Sequence, residues 1–393
     1  MKILSLKNIL LFTGIVLFAA CSTDVEINAP YDSKSIVFGL LDSKADTQFV
    51  KINKTFLGTG NNLDYAMIRD SSEYRFSVFE TLEIDEVVNG NVTNTFPLDS
   101  ITLNNKEVNG IFYGPRQTVY YFKTPSGGLN EEAIYRFKAT FNNGEEPLAA
   151  ETDLIENVFI EGGQSENILL PNPYITDMNE LAGANTLDNG VFPNVNFKWN
   201  ATEGASRYEA ALRFYYTEVT YTNSTYTQVQ SSEKKYMDWA IGEFETTVTD
   251  GSDDFSVFFN GLSFFTSVRS QLDVIPSNQF VRRFVGYKLP NESAPQPAFD
   301  FLLRTANEEL DVYLEVTQPV TGIIQERPSY TNVANGLGLF AARITQGVYN
   351  RLPKEFTIDF LHNMFEEVNG QDVSYGFYSN DVRFSTKDFY LPN

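Results

Sequence analysis

Carboxylates are the most numerous groups in this chain that could do chemistry, because cysteine and histidine occur only once each. Glycoside hydrolysis needs two carboxyl groups roughly 5–10 Å apart. The sequence has four adjacent Glu-Glu pairs, which are Glu131-Glu132, Glu145-Glu146, Glu308-Glu309 and Glu366-Glu367. Neighbours on a strand point to opposite faces, so the two members of a doublet make a poor catalytic pair. We predict no catalytic residue and keep a carboxylate-based glycan hydrolase as an alternative.

The single histidine, His362, limits most other mechanisms. A Ser-His-Asp or Cys-His hydrolase would depend on it, and no Gly-x-Ser-x-Gly motif is present. Zinc hydrolases need several histidine ligands. The segment Asp250–Asp254 (DGSDD) could supply oxygen ligands for Ca²⁺, but it lacks EF-hand spacing and fits better as a loop that caps a following helix. We therefore predict no metal and no cofactor.

The single cysteine, Cys21, follows an apolar run. Lys2 and Lys7 precede that run, which extends from Ile9 to Ala20. Twelve residues are too few for a spanning helix, which needs about 20, and they match the apolar region of a secretory signal. One cysteine also excludes an intramolecular disulfide.

Phe18-Ala19-Ala20-Cys21 resembles the lipobox of bacterial lipoproteins. The resemblance implies signal cleavage between Ala20 and Cys21, lipid attachment to Cys21, a signal peptide over residues 1–20 and a lipidated tether over residues 21–34. The alternative is an ordinary secretory signal that leaves Cys21 as a free thiol. The acids in the string STDVE after the cysteine resemble a surface-export signal in part, which favours the cell surface over the periplasmic face.

The chain is strongly acidic. Its formal net charge is −22, and loss of the two lysines in residues 1–20 makes it −24. Such a surface repels phosphate backbones, so we predict no nucleic-acid partner. It also disfavours lying flat on an anionic bilayer. Solubility explains the charge, and capture of Ca²⁺ or of a basic ligand is the alternative.

Short alternating runs between Asn/Gly turns predict an N-terminal β-sandwich over residues 35–162, of the immunoglobulin-like kind. IYRFKATF alternates from Ile134 to Phe141, and RFSVFE alternates before the Asn89-Gly90 turn. The predicted strands are Ser35–Leu41, Gln48–Phe56, Tyr74–Leu82, Val119–Lys123, Ala133–Asn142 and Leu148–Ile160.

Glycines and prolines near residue 165 separate this unit from a second β-rich (α+β) domain over residues 172–393. Alternation around Trp199 and again from Tyr208 to Phe214 predicts a hairpin, which resembles the opening of a fibronectin type III sandwich. We expect SSEKKYMDWAI to pair with the run that follows Phe214. A sheet is predicted from 282–289, 297–303, 338–344 and 377–384.

We predict two or three helices in the second domain. An aromatic stripe at helical spacing predicts one helix near 253–272. Thr305 with Glu308 three residues on predicts a capping box for a second helix near 306–316.

The segment Pro328–Gln346 (PSYTNVANGLGLFAARITQ) resembles the closing motif of a domain-of-unknown-function family of Bacteroidota-type outer-membrane lipoproteins. Genes of that family often lie beside those of TonB-dependent receptors. The resemblance implies an architecture and a membrane neighbourhood, and it transfers no catalytic residue. From the residues alone, Asn335 to Gly338 fit a structural turn.

Asp99-Ser100-Ile101 matches the O-glycosylation pattern of such bacteria, so Ser100 is a candidate glycosylation site. Taken together, these features predict a non-catalytic lipoprotein, anchored in the outer membrane and acting as accessory subunit of a TonB-dependent transporter or similar β-barrel complex. Its ligand would be a glycan or a peptide. A structural or assembly factor for outer-membrane proteins, secretion or gliding is the alternative among binding proteins.

Overall fold

The computed structural model describes residues 31, 33–57, 61–160, 194–248, 250–285, 297–318, 329–351 and 384. Within these ranges strands far outnumber helices, so the prediction of a mainly β protein is confirmed. No helix among them is both long and apolar enough to span a bilayer.

The N-terminal segment contributes eight strands and two short helices. The strands are β1 (Ser35–Leu41), β2 (Thr47–Lys54), β3 (Phe79–Val88), β4 (Asn91–Pro97), β5 (Asp99–Leu103), β6 (Gln117–Lys123), β7 (Ile134–Phe141) and β8 (Leu148–Asp153). The helices are α1 (Asn62–Ala66) and α2 (Arg69–Ser72), which the sequence reading did not predict.

The rest of the described chain contributes seven strands and two helices. They are β9 (Asn194–Asn200), β10 (Arg207–Tyr221), β11 (Val229–Glu245), β12 (Asp254–Asn260), α3 (Gly261–Gln271), β13 (Val281–Phe284), β14 (Phe299–Ala306), α4 (Glu308–Thr317) and β15 (Leu337–Arg351).

One large sheet runs through both segments, in the order β11-β10-β14-β15-β1-β2-β6-β5, with β13 paired to β10. The joint between the segments is the parallel pair β1–β15, in which Val37 lies opposite Gly338. A second sheet has the order β4-β3-β7-β8, and β9 pairs with β12. The predicted boundary between residues 162 and 172 lies outside the described residues, and the large sheet continues across the two segments.

The two sheets of the N-terminal segment pack face to face through aromatic side chains. Phe96 stacks on Phe122 with ring centroids 4.6 Å apart, and Phe137 meets Phe340 of β15 at 5.8 Å. Alternation in β7 buries every second side chain from Tyr135 to Phe141, as predicted. The same apolar core continues into the second segment, where Phe197 stacks on Phe301 at 3.5 Å.

The predicted helix over 253–272 is wrong in its first half. Residues Asp254–Asn260 form β12, and the helix begins at Gly261. Phe255 and Phe259 suit either period, but Phe258 is 65 % exposed, because the run alternates as a strand opposite β9. A short aromatic run does not distinguish the two periods by itself.

The predicted hairpin between the run around Trp199 and the run from Tyr208 to Phe214 is also wrong. β9 pairs with β12, whereas β10 lies between β11 and β14 in the large sheet. The predicted pairing of SSEKKYMDWAI with the preceding ribbon is confirmed by the β10–β11 ladder.

Two local assignments need correction as well. Thr305 belongs to β14, and the cap of α4 is Asn307, whose side chain accepts a hydrogen bond from the Leu310 N–H. The start of the predicted strand Tyr74–Leu82 contains a 3₁₀ turn at Phe76–Val78, and β3 begins at Phe79.

The turn at Asn335–Gly338 has a structural role. Asn335 and Gly338 have positive φ, and the Asn335 side chain donates to the Pro147 carbonyl at 2.9 Å. A Cβ at position 338 would lie 2.0 Å from the Val37 carbonyl oxygen, so only glycine allows β15 to approach β1 this closely.

Candidate functional site

An acidic cleft of about 520 Å³ opens where the N-terminal sandwich meets the second segment. Seven carboxylates line it, together with Ala133, Leu154, Gly204 and Asn307. The seven are Glu131, Glu132, Asp153, Glu156, Glu203, Glu308 and Glu309. Two of the four doublets in the sequence thus meet in one cleft, although they are far apart along the chain.

Asn307 positions the Glu308-Glu309 doublet. Its buried side chain donates to Thr152 Oγ1 at 2.8 Å and accepts from the N–H groups of Leu310 and Ala342. One amide therefore ties the start of α4 to β8 and β15. Glu308 and Glu309 follow in the first turn of α4, where the helix dipole favours negative charge.

The Glu131-Glu132 doublet enters the cleft from the loop before β7. Glu131 accepts a hydrogen bond from Ser43 Oγ at 3.0 Å and pairs with Lys44 at 2.9 Å. Asp153, at the end of β8, lies opposite Ile134, the first residue of β7. The end of β8 and the loop before β7 thereby bring Glu131, Glu132 and Asp153 to one edge of the sheet.

Gly204 brings the remaining wall into place. Its φ is +80°, and a Cβ there would lie 2.4 Å from the Leu154 carbonyl oxygen. The Glu156 N–H also donates to the Glu203 carbonyl at 3.2 Å. This close backbone contact puts Glu203 and Glu156 on the same side of the cleft.

The cleft disfavours the ionised form of three of its acids. Burial raises the pKa of Asp153, and the charge of Glu151 adds to the effect. Burial also raises the pKa of Glu156, with further repulsion from Glu203. Glu309 has a raised pKa because it is buried, and because Asp153 and Glu308 lie nearby. Burial is the main cause in all three, and repulsion between neighbouring carboxylates adds to it.

Such a cleft attracts cations, because a positively charged group would relieve the repulsion among its acids. Among the described residues, no cluster of His, Cys, Asp or Glu has the geometry to hold a metal ion. The negative charge of the cleft suits a cationic group such as an ammonium or a guanidinium.

The carboxylates of the DGSDD segment accept hydrogen bonds from neighbouring groups. The Asp250 side chain accepts from the Ser252 N–H at 3.0 Å, Asp253 accepts from Thr246 Oγ1 at 2.6 Å, and Asp254 accepts from Asn200 at 2.6 Å. These carboxylates hold a turn that leads into β12, so the expected helix cap is wrong.

The other candidate residues are separate from the cleft. Ser100 lies half-buried on β5, an edge strand of the large sheet, and Asp99 beside it is exposed. Ala20, Cys21, His362 and Glu366-Glu367 lie outside the described residues.

Sequence reasoning missed the cleft because the signal was present only as unconnected doublets. It judged each doublet as a pair within one strand, but Glu131-Glu132 lie in a loop and Glu308-Glu309 in a helical turn. No protein-family model and no curated protein matches this chain. The family resemblance from the closing motif therefore stays a prediction.

Proposed function

We propose that this protein is a non-catalytic, lipid-anchored surface protein that captures a cationic ligand for an outer-membrane β-barrel transporter. The observation that carries the proposal is the position of the acidic cleft relative to the point where the N-terminal tether enters the sandwich.

The tether and the cleft lie at opposite ends of β1. Ser35, the first residue of β1, pairs with Lys54, and the preceding Lys34 N–H donates to Thr55 Oγ1 at 2.8 Å. At the other end of β1, Ser43 contacts Glu131 of the cleft. A seven-residue strand is about 23 Å long. A lipid on Cys21 would therefore be attached to the end of the sandwich that lies opposite the cleft.

The charge of the cleft supports capture of a positively charged group. A basic peptide is the ligand class that best combines this charge with the predicted uptake role. A neutral glycan would hydrogen-bond to these carboxylates but would not offset their charge.

The ligand part of the proposal is tested with a lysine-rich peptide and the full chain, by isothermal titration calorimetry. We expect the Glu308→Gln/Glu309→Gln variant to bind about five- to thirtyfold more weakly, since two lost charge pairs of about 0.5–1 kcal/mol each remove about 1–2 kcal/mol. The control is Glu145→Gln/Glu146→Gln, which removes the same charge from an exposed loop outside the cleft. Equal affinity of both variants for the peptide would exclude the cleft as the binding site.

The partner is tested by gentle membrane solubilisation and pull-down of the native protein. We expect a large β-barrel protein to co-purify in a stable complex. A protein that is isolated alone would contradict the accessory-subunit role.

A glycan hydrolase is the second candidate, and the raised pKa values of Asp153 and Glu309 favour it. A protonated carboxyl group near a charged one is what a general acid requires. Release of reducing sugar from polysaccharides that disappears in Glu309→Gln would establish this activity in place of the non-catalytic role.

A further inference from the structure

Six large apolar side chains are exposed at one end of the N-terminal sandwich, on two adjoining segments. We call them the apolar tip. They are Leu63, Met67, Ile68, Val108, Ile111 and Phe112, and each is 50–64 % exposed.

Hydrogen bonds hold the two segments of the apolar tip together. The Tyr113 N–H donates to the Ala66 carbonyl at 2.9 Å, which joins the 104–116 loop to α1. Asn61 caps α1 by accepting from the Leu63 N–H at 3.1 Å. The exposed apolar side chains of the tip therefore lie on a hydrogen-bonded scaffold.

Glu73 fixes α2 against the sheet beneath the tip. Its buried carboxylate accepts from Arg69 Nε and from the Thr118 N–H, both at 3.0 Å, and it pairs with Lys51 at 3.3 Å. The tip is therefore connected to β2 and β6, and so to the body of the sandwich.

The local charge differs from that of the whole molecule. Residues 51–57, 61–75 and 103–117 contain six cationic side chains and four acidic ones, a local excess of two positive charges in a chain of net charge −22. Lys106 lies over the ring of Phe112, with Nζ 5.8 Å from the ring centroid. Cations around exposed apolar groups are complementary to an anionic lipid surface.

The tip also lies at the end where the tether enters. Ser33 Oγ donates to the Thr55 carbonyl at 2.8 Å, which places the incoming chain beside the end of β2. The twelve residue steps from Cys21 to Ser33 can span at most about 40 Å. A lipid on Cys21 would therefore keep the tip within reach of the bilayer surface.

We propose that the apolar tip inserts into the surface of the lipid bilayer and fixes the orientation of the protein on the membrane. The proposal rests on the lipid anchor of the proposed function and adds a second, non-covalent contact. Apolar side chains that insert at the interface lie about 5–10 Å into the bilayer boundary, within the headgroup and upper acyl region.

The test uses the processed, lipidated protein reconstituted alone in vesicles of phosphatidylcholine and phosphatidylglycerol. Acylation blocks Cys21, so an Ile111→Cys substitution supplies a free thiol for an environment-sensitive fluorophore. The control is Val92→Cys, because Val92 is 53 % exposed. Val92 lies on β4 beside the Asn89-Gly90 turn, which follows the last residue of β3, whereas Phe79 is the first residue of β3.

We expect lipids with a spin label in the upper acyl chain to quench about half of the emission at position 111 and little of that at position 92, given the insertion depth of interfacial groups. Val108→Cys is the second tip variant, and circular dichroism confirms that each variant is folded. Equal, weak quenching at positions 111, 108 and 92 in vesicles that carry the protein overturns the tip proposal but leaves the anchor intact. Protein that does not float with the vesicles overturns the anchor and the tip proposal together.

Discussion

At the scale of single residues, buried charges are the side chains on which the fold depends most. Arg207 has a side chain only 8 % exposed, and it pairs with Glu243 at 3.0 Å, with Asp311 at 2.5 Å and with Glu245. It thereby joins α4 to β11 through three carboxylates that would otherwise repel one another.

We predict that Arg207→Ala lowers the free energy of unfolding by about 1.5–3 kcal/mol, because it removes a buried guanidinium and leaves Asp311 without this charged hydrogen-bond donor. The control is Arg136→Ala, which removes the exposed pair with Glu151 and should cost less than about 1 kcal/mol. Urea denaturation measures both changes. A similar loss in the two variants would show that burial does not determine the cost.

The cleft acids with a raised pKa make the folding stability depend on pH with the opposite sign to that of ordinary ion pairs. The pKa of Glu309 is raised above its usual 4.5 by burial and by nearby acids, so the folded state holds its proton more tightly than the unfolded state. The stability from this proton is fully present below pH 4.5 and is lost as the pH rises through the folded pKa.

We therefore predict that Glu309→Gln raises the melting temperature at pH 7 and that the gain shrinks as the pH falls toward 4.5. Differential scanning calorimetry across this range measures the effect, and Glu80→Gln on the exposed face of β3 is the control. A gain that is independent of pH would mean that the charge of Glu309 is not the cause.

Glu73 behaves in the opposite way beneath the apolar tip. Burial would raise its pKa, but the hydrogen bond from Arg69, the charge of Lys51 and the contacts with Thr118 outweigh this, and its pKa lies below the usual value. Its stabilisation is present above the unfolded pKa and is lost as the pH falls through the folded pKa. We predict that acid lowers the protection factors of the amide hydrogens in α2, measured relative to the intrinsic exchange rate at each pH, and that Glu73→Gln lowers them already at pH 7.

At the scale of elements, close backbone contacts determine how the two segments join. Gly204 and Gly90 both have φ near +80°, but a Cβ at Gly90 has open space around it, whereas one at Gly204 meets the Leu154 carbonyl. A comparison of alanine substitutions at Gly90 and Gly204 therefore separates the cost of backbone strain from the cost of a steric clash.

We predict that Gly90→Ala lowers stability by about 1–2 kcal/mol through φ alone, and that Gly204→Ala costs clearly more. Chemical denaturation gives both values, and peptide binding shows whether the cleft is also distorted. Equal losses would mean that the backbone at Gly204 moves aside at no cost.

The elements also show what could be predicted from local sequence. Alternation in β7 identified its strand because its buried residues are local and regular. The pairing of the adjacent strands β10 and β11 could be predicted, but that of β1 with β15 could not, since it joins residues about 300 positions apart. The start of α3 was misplaced because the short run Phe255–Phe259 satisfies both periods and only the partner strand β9 decides between them.

At the scale of the whole molecule, the charge distribution was predictable only as a total. The net charge of −22 led to the prediction of no nucleic-acid partner. It did not indicate that seven acids meet in one cleft, or that a local cationic excess surrounds the apolar tip. These two ends depend on the order of strands in the sheets, which composition does not contain. The lipidation predicted for Cys21, in contrast, rests on the type and order of neighbouring residues alone.

The most direct test of the account is labelling of intact cells with a membrane-impermeant maleimide, comparing the wild-type protein with Glu132→Cys, whose position is exposed at the cleft. We expect Glu132→Cys to be labelled on intact cells and the wild type to remain unlabelled, because acylation blocks Cys21 while the cleft faces outward. Labelling of the wild type would show that Cys21 is a free thiol, and labelling of Glu132→Cys only after lysis would show that the cleft faces the periplasm.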